Sequence, residues 1–130
     1  MRFLLDTHVL LWALASPKRL PEPVFELLET TGNEILFSAA SIWEIAIKAQ
    51  LLRAQFGVDA TTIIDAARET GFTELAVSAQ HAACVSSLPL HHKDPFDRML
   101  ICQALTEPAR LLTADRALSA YSNDLVALIE

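Results

Sequence analysis

Short apolar runs alternate along the chain with longer segments of helical periodicity. The predicted strands cover residues 2–6, 35–37, 73–77 and 110–113, with 125–129 as the candidate for a fifth. The predicted helices run from residue 7 to about 15, 21 to about 32, 39 to about 52, 59 to 70, 78 to about 87 and 94 to about 106, and a short one follows residue 115. Short buried strands that alternate with helices predict a parallel sheet covered on both faces. We therefore expect an α/β fold, a three-layer α/β/α domain with a central parallel sheet of four or five strands.

Length and composition indicate a folded chain without linkers. The 130 residues are 52% hydrophobic and 20% charged, and only three are glycine. This is the usual size of one domain and enough apolar material for a core. We expect a single domain over residues 1–130.

Two acids follow predicted strands where parallel sheets carry functional sites. Asp6 ends the first strand, and Asp115 comes two residues after the fourth. Open α/β sheets bind their ligands beyond the carboxyl ends of the strands. Asp6 also follows four residues that we expect to be buried, where a carboxylate is rarely placed without a partner. The two acids therefore mark a candidate site.

Three further acids occur in the predicted helices. Glu44 lies in an almost wholly apolar stretch, whereas Asp94 and Asp97 belong to one rigid helix start. If these acids converge with the strand-end acids, their mutual repulsion requires a cation. Carboxylate ligands without a Cys or His cluster favour Mg²⁺ or Mn²⁺.

Each acid also has an ordinary structural explanation. Glu44 suits an ion pair with Lys48 at i, i+4 or a capping box with Ser41. Helix N-caps or first-turn positions account for Asp6, Asp94, Asp97 and Asp115.

Four motifs, in order, resemble the PIN-domain family and its VapC-type toxin group. They are Leu-Asp-Thr-His at 5–8, Ser-Ile-Trp-Glu-Ile-Ala-Ile-Lys at 41–48, His-Lys-Asp-Pro-Phe-Asp-Arg-Met-Leu at 92–100 and Leu-Thr-Ala-Asp-Arg at 112–116. The resemblance spans nearly the whole chain. It implies a PIN-like nuclease domain, a metal-dependent endoribonuclease that acts as the toxin of a type II toxin–antitoxin pair.

The resemblance also assigns roles to the acids. By position, the family's catalytic and metal-binding acids fall on Asp6, Glu44, Asp97 and Asp115. Asp94 belongs to a branch with a His-x-Asp-Pro-Phe-Asp-Arg pattern, and either binds the Mg²⁺ or Mn²⁺ or only caps its helix. We expect metal-activated water to attack the phosphodiester, leaving 5′-phosphate and 3′-hydroxyl ends.

Several neighbours of the acids are candidates for supporting roles. Thr7 and Thr113 are placed to hydrogen-bond the carboxylates or to satisfy strand ends. Lys48, Arg98 and Arg116 are candidates for phosphate contacts. For Lys48 and Arg98 the alternative is a salt bridge that holds the acids in place. Other expectations concern His91 and His92, on an exposed loop near the site; His81, on a helix surface; and Trp12 and Trp43, as core or dimer anchors.

Partners follow partly from the resemblance. VapC-type toxins form homodimers and are inhibited by a cognate antitoxin, which in this branch is Phd/YefM-like. An excess of apolar positions on two helices also indicates a protein–protein interface, because an exposed apolar patch marks such a surface. These positions are Leu20, Val24, Phe25, Leu28, Leu51 and Leu52.

The net charge of −6 argues against a protein that holds nucleic acid by charge alone. Without the four site acids the chain would carry −2, so the acidity fits a metal site. Two competing functions are a phosphotransfer or phosphatase domain with Asp6 as the nucleophile and a non-catalytic PIN-fold interaction domain.

Compartment signals in the sequence are weak but consistent. Asp6 and His8 interrupt the apolar N-terminal stretch, which opposes a signal-peptide reading. No long apolar run predicts a membrane helix. The two cysteines, Cys84 and Cys102, are too few for a disulfide framework, so we expect a cytoplasmic protein.

Overall fold

Five parallel strands form a central sheet in the computed structural model, which describes residues 1–51, 57–90, 93–121 and 125–129. The strands are β1 (Arg2–Leu5), β2 (Glu34–Ser38), β3 (Thr73–Leu75), β4 (Arg110–Thr113) and β5 (Val126–Leu128). Their order across the sheet is β3-β2-β1-β4-β5, and every neighbouring pair is parallel. The predicted parallel sheet and its strand content are confirmed.

Helices connect the strands as the pattern predicts. They are α1 (Thr7–Ala15), α2 (Glu22–Glu29), α3 (Ala39–Leu51), α4 (Ala60–Thr70), α5 (Ala79–Cys84) and α6 (Pro95–Thr106). Short 3₁₀ turns cover Pro17–Arg19, Val85–Ser87 and Arg116–Ala120. Gly71 ends α4 with a φ of 96°, a left-handed conformation that glycine adopts without strain. None of the helices in these described ranges is long and apolar enough to cross a membrane.

The two faces of the sheet each bury an apolar cluster. Successive side chains of a strand point to opposite faces, so Leu5 belongs to one cluster and Leu4 to the other. Val9 of α1 and Ile63 of α4 join the cluster of Leu5. Leu100 of α6 joins the cluster of Leu4. Helical layers therefore cover both faces, as expected for an α/β/α domain.

His81 is buried, and its predicted place on a helix surface is wrong. Its Nδ1 accepts a hydrogen bond from the backbone N–H of Ser78 at 3.0 Å. Its Nε2 lies 2.9 Å from Glu107 Oε2. Because Nδ1 accepts, Nε2 carries the hydrogen and donates to the carboxylate. The end of α6 brings Glu107 to α5, so the imidazole is a satisfied buried group.

The predicted apolar patch is only partly exposed. Leu20 is buried, so its expected part in an exposed patch is wrong, whereas Phe25 and Leu51 are exposed. Trp43 is 64% exposed, which excludes it from the core. Leu52, His91 and His92 lie outside the described residues.

Candidate metal site at the carboxyl edge of the sheet

The strand order creates a switch point between β1 and β4. The chain proceeds from β1 to β2 on one side, whereas β4 pairs with the other side of β1. Ligands of open α/β sheets bind in the crevice at such a point. A cleft of about 230 Å³ lies there, and Asp6, His8, Trp12, Ala114 and Asp115 line it. The structure thus brings two of the predicted site acids into one cleft.

Asp6 is a buried acid, only 4% exposed, and its carboxylate accepts hydrogen bonds from Val9 and Thr113. It caps α1, with Oδ1 accepting from the N–H of Val9 at 2.8 Å. The hydroxyl of Thr113 donates to Oδ2. Its own N–H donates to the carbonyl of Leu112 at 3.0 Å, which ties the residue to β4. The side chain is therefore fixed at the strand end.

Burial raises the pKa of Asp6 above the usual value for aspartate. The hydrogen bonds from Thr113 and Val9 lower this pKa, and so does the charge of His8. The nearby charge of Asp115 raises it. Burial is the largest of these effects, so ionisation of the carboxyl group costs free energy unless a cation compensates it.

Asp115 is exposed and is joined to Asp6 through Thr113. Its Oδ1 accepts from the N–H of Ala117 at 2.9 Å, which caps the 3₁₀ turn that follows. Its own N–H donates to the Thr113 hydroxyl at 3.0 Å. The same hydroxyl donates to Asp6, so one side chain positions both acids.

Glu44 is buried on α3 and held by two partners. Its Oε1 accepts from the Thr7 hydroxyl at 2.7 Å, and its Oε2 lies 2.9 Å from Lys48 Nζ. Thr7 Oγ1 is also 3.0 Å from Ser41 Oγ. A hydroxyl has one hydrogen, so Thr7 donates to Glu44 and accepts from Ser41. The i, i+4 pair with Lys48 is present. The capping box is not, because α3 begins at Ala39 and its third residue is Ser41.

The start of α6 holds the remaining acids. Asp94 is the N-cap, with Oδ1 accepting from the N–H groups of Phe96 at 2.8 Å and Asp97 at 3.2 Å. Asp97 lies in the first turn and is half-buried. Arg98 is buried and donates to the carbonyl of Val85 at 2.9 Å. This hydrogen bond joins the first turn of α6 to the 3₁₀ turn Val85–Ser87.

Oxygen donors of the kind that Mg²⁺ prefers are present, but those of the described residues do not form a closed ligand shell. Within the described ranges, no group of three or more His, Cys, Asp and Glu side chains is arranged to hold a metal ion. Mg²⁺ keeps several waters in proteins and is commonly bound by one or two carboxylates together with substrate phosphates. The pair Asp6 and Asp115 meets that requirement, and the donor set fits the predicted cation.

Sequence reasoning missed that Trp12 and His8 line the cleft. Their i, i+4 spacing directly after Asp6 is the signal that could have found them, since such residues share a helix face. Arg116, a candidate for phosphate contacts, is exposed beside Asp115.

A second, apolar groove of about 540 Å³ lies beside the start of α6. Trp43 contacts Phe96 edge-to-face there, with ring centroids 5.4 Å apart. The other residues that line this groove are Ala39, Ala40, Val77, Ala82, Val85, Pro95 and Met99. It is separate from the acidic cleft, since the two share no lining residue.

Comparison with known proteins decides the family. The PIN domain model matches residues 3–123. The chain belongs to the PIN domain family. This PIN domain is 32% identical, over 122 residues, to Ribonuclease VapC22 of Mycobacterium tuberculosis, covering 91% of the chain and 90% of that protein. The resemblance to VapC-type toxins is thereby confirmed.

Solved structures share the PIN fold at low sequence identity. VapBC2 from Rickettsia felis, bound to a DNA fragment from its promoter, matches with a TM-score of 0.74 and 16% identity over 100% of both chains. DNA-bound VapBC from Salmonella typhimurium matches with a TM-score of 0.69 and 15% identity, covering 98% of this chain and 96% of that one. VapBC-1 from nontypeable Haemophilus influenzae matches with 0.60 and 18%, covering 98% of each. These likenesses confirm the α/β/α fold.

Proposed function

We propose that this PIN domain is a Mg²⁺- or Mn²⁺-dependent endoribonuclease, the toxin of a type II toxin–antitoxin pair, and that residues 1–130 form one nuclease domain. The observation that carries the proposal is the buried carboxylate of Asp6 at the switch point, in one cleft with Asp115. A buried acid with raised pKa beside a second acid is a costly arrangement for a merely structural site. The relative named a ribonuclease supports RNA as the substrate.

In this proposal the acids would hold the cation, and the charge of the cation would attract the RNA phosphate. Asp6 and Asp115 would bind the cation directly, and Glu44 and Asp97, with Asp94 as a further candidate, would complete the acidic site. When bound, the cation stabilises charge on the phosphate and lowers the pKa of a water molecule.

The chain's own hydroxyls and cations position these acids. Thr113 orients Asp6, and Thr7 orients Glu44 through the hydrogen bonds described above. Lys48 holds the other oxygen of Glu44. Arg98 keeps the start of α6 in place, and exposed Arg116 is the candidate for contact with the RNA backbone.

RNA sequencing after induction tests the activity and the site together. Cells that produce the wild type should accumulate new RNA ends with 5′-phosphate and 3′-hydroxyl groups, whereas Asp97→Asn should not generate them. Asp65→Asn, which changes an exposed acid on α4, serves as the matched control and should cleave like the wild type. New ends that carry only 2′,3′-cyclic phosphate, or identical ends with Asp97→Asn, would contradict the proposal.

A cognate antitoxin is the proposed protein partner, because the structural neighbours are VapBC complexes. The proposal includes an antitoxin of the Phd/YefM-like type and a cytoplasmic location, which suits the free thiols of Cys84 and Cys102.

We also propose a homodimer whose contact includes the exposed Trp43 and its groove. Sedimentation of the wild type and of Trp43→Ser tests this, since the variant should dissociate at a higher protein concentration. Equal dissociation constants would rule out this surface.

A further inference from the structure

One wall of the acidic cleft is aromatic and basic. Trp12 lines the cleft together with Asp6 and Asp115. His8, one helical turn before it, is exposed, and its ring centroid lies 6.2 Å from that of Trp12 at an interplanar angle of 45°. We call His8, Trp12 and Arg19 the Trp12 wall, because the guanidinium carbon of Arg19 lies 4.8 Å from the Trp12 ring centroid.

The Trp12 wall combines the groups that bind single-stranded RNA elsewhere. Unstacked bases stack on aromatic side chains and on planar guanidinium groups, and cations contact the backbone. A guanidinium at this distance from the ring makes a cation–π contact, which holds Arg19 in place. A cleft of about 230 Å³ is smaller than the roughly 300–1,000 Å³ typical of drug-sized ligands. It therefore has room for a small group such as a single base, with the rest of an RNA strand outside it.

Charge also favours an RNA strand at this wall. The chain carries a net charge of −6, so cations beside the acids are needed to bring phosphates there. Arg19 and its neighbour Lys18 are exposed on the 3₁₀ turn that follows α1. His8 is exposed at the edge of the same cleft. Two basic side chains, Arg19 and His8, thus lie beside the Trp12 ring that lines the cleft.

We propose that the Trp12 wall is a base-binding subsite, in which a nucleobase next to the cleaved phosphodiester stacks on Trp12 while Arg19 and His8 contact the adjoining phosphates. This inference rests on the proposed ribonuclease function and identifies a nucleobase as a part of the substrate that the enzyme binds. It makes Trp12 a substrate-binding residue in addition to its packing against the apolar core.

Tryptophan fluorescence tests the subsite directly, because the chain has only two tryptophans. Trp43→Phe retains Trp12, whereas Trp12→Phe retains Trp43, which lines the other groove. Each variant is titrated with a single-stranded oligoribonucleotide in EDTA, so that the RNA stays intact. RNA should quench the fluorescence of Trp43→Phe and leave that of Trp12→Phe unchanged. Quenching of Trp43 alone, or of neither residue, overturns the proposal.

Affinity and kinetics give a second test that does not depend on fluorescence. Trp12→Leu keeps an apolar side chain against the core but removes the stacking surface, and its RNA dissociation constant should rise about 5- to 150-fold, the range of one base–aromatic stack. In Mn²⁺, KM should rise by a similar factor while kcat changes little. The RNA dissociation constant and the KM of Trp12→Phe should lie between those of the wild type and Trp12→Leu. Arg19→Ala should raise KM without loss of fold.

The outcomes separate this subsite from the proposed function. If the wild type does not cleave RNA, the ribonuclease proposal fails, whereas the quenching and affinity results still decide the subsite. If the wild type cleaves RNA and Trp12→Leu binds and cleaves it equally well, only the subsite fails. If Trp12→Leu loses antitoxin binding but keeps its RNA affinity, the subsite proposal is also overturned. The cleft would then be a binding site for a protein segment. Circular dichroism melting of each variant confirms that it is folded.

Discussion

Thr113 donates a hydrogen bond to Asp6 across the switch point, from the end of β4 to the end of β1. Both side chains are buried, and the same hydroxyl accepts from the N–H of Asp115 at 3.0 Å. The geometry of the two cleft acids therefore depends on one threonine. This hydrogen bond links the sheet topology directly to the proposed site.

Replacement of Thr113 by Val should impair the metal site and the fold together. Loss of the hydroxyl leaves a buried carboxylate with one donor fewer, so the free energy of unfolding should fall by about 1–3 kcal/mol. Mn²⁺ affinity should fall about 10- to 100-fold, the usual effect of losing a partner that orients a ligand. Urea unfolding and calorimetric titration measure the two effects.

The control for that variant is Thr70→Val, which removes an exposed hydroxyl that donates to the carbonyl of Ala66 at 2.7 Å. Its free energy of unfolding should change by no more than about 0.5 kcal/mol. Equal Mn²⁺ binding by Thr113→Val and the wild type would show that Thr113 does not position a ligand.

The raised pKa of Asp6 gives stability a predictable pH dependence without metal. The folded protein binds a proton that the unfolded chain releases, so this contribution is complete below the unfolded pKa of about 3.9 and is lost as pH rises through the folded pKa. In EDTA, the free energy of unfolding of the wild type minus that of Asp6→Asn should therefore decrease as the pH rises. A difference that increases with pH would have the wrong sign.

Mn²⁺ should offset the loss of stability that ionisation of Asp6 causes at higher pH, because the cation binds the ionised carboxylate. Added Mn²⁺ should increase the free energy of unfolding of the wild type, and should do so more strongly as the pH rises. Asp6→Asn should gain little. Equal stabilisation of both proteins by Mn²⁺ would place the ion elsewhere.

The ion pair between Glu44 and Lys48 predicts effects of opposite sign on metal binding. Glu44→Gln removes a negative oxygen from the acidic site and should weaken Mn²⁺ binding. Lys48→Met removes a cation that competes for the same carboxylate, so it should strengthen binding. Lys48 is partly exposed, and its loss should cost less than about 1 kcal/mol of folding free energy. Weaker Mn²⁺ binding in both variants would indicate that the pair is only structural.

The two cysteines should differ sharply in reactivity. Burial, and after it the neighbouring Cys84, raise the pKa of the Cys102 thiol to about 12. Native Cys84→Ser, which retains only Cys102, should therefore react with a thiol reagent only after unfolding. Cys102→Ser, which retains the half-buried Cys84, should react faster in the native state. Similar rates for the two variants would argue against a buried Cys102.

Local sequence signals predicted the fold well because each strand is a short apolar run with a clear end. The strand 110–113 was predicted with the bounds that the structure has. Asp94 before Pro95 marked the start of α6, since both residues favour the first positions of a helix. The placement of Asp6 and Asp115 at one edge followed from the direction of parallel strands.

Contacts between distant segments were not predictable in the same way. The buried state of His81 depends on Glu107, which reaches it only after α6 has packed against α5. Periodicity placed Trp12 on a helix face but did not show that this face meets the switch-point cleft. Thr113 was a candidate partner of the acids, but its double hydrogen bond required the register of β4 against β1.

Cleavage of RNA by purified protein in Mn²⁺ and in EDTA tests the central claim most directly. The informative pair is Asp115→Asn and Asp59→Asn. Both replace exposed capping aspartates, and Asp59 caps α4 through the N–H of Thr62 at 3.1 Å, far along the chain from the acidic cleft. Asparagine also caps helices well, so both variants should fold normally.

The proposed site predicts that the wild type and Asp59→Asn cleave RNA in Mn²⁺ and that neither does so in EDTA. The cleavage rate of Asp115→Asn should be more than about 100-fold below that of the wild type. Loss of a residue that only orients a metal ligand already reduces activity by about 10- to 100-fold. Equal cleavage by the two variants, or undiminished cleavage in EDTA, would contradict a metal-dependent ribonuclease centred on Asp6 and Asp115.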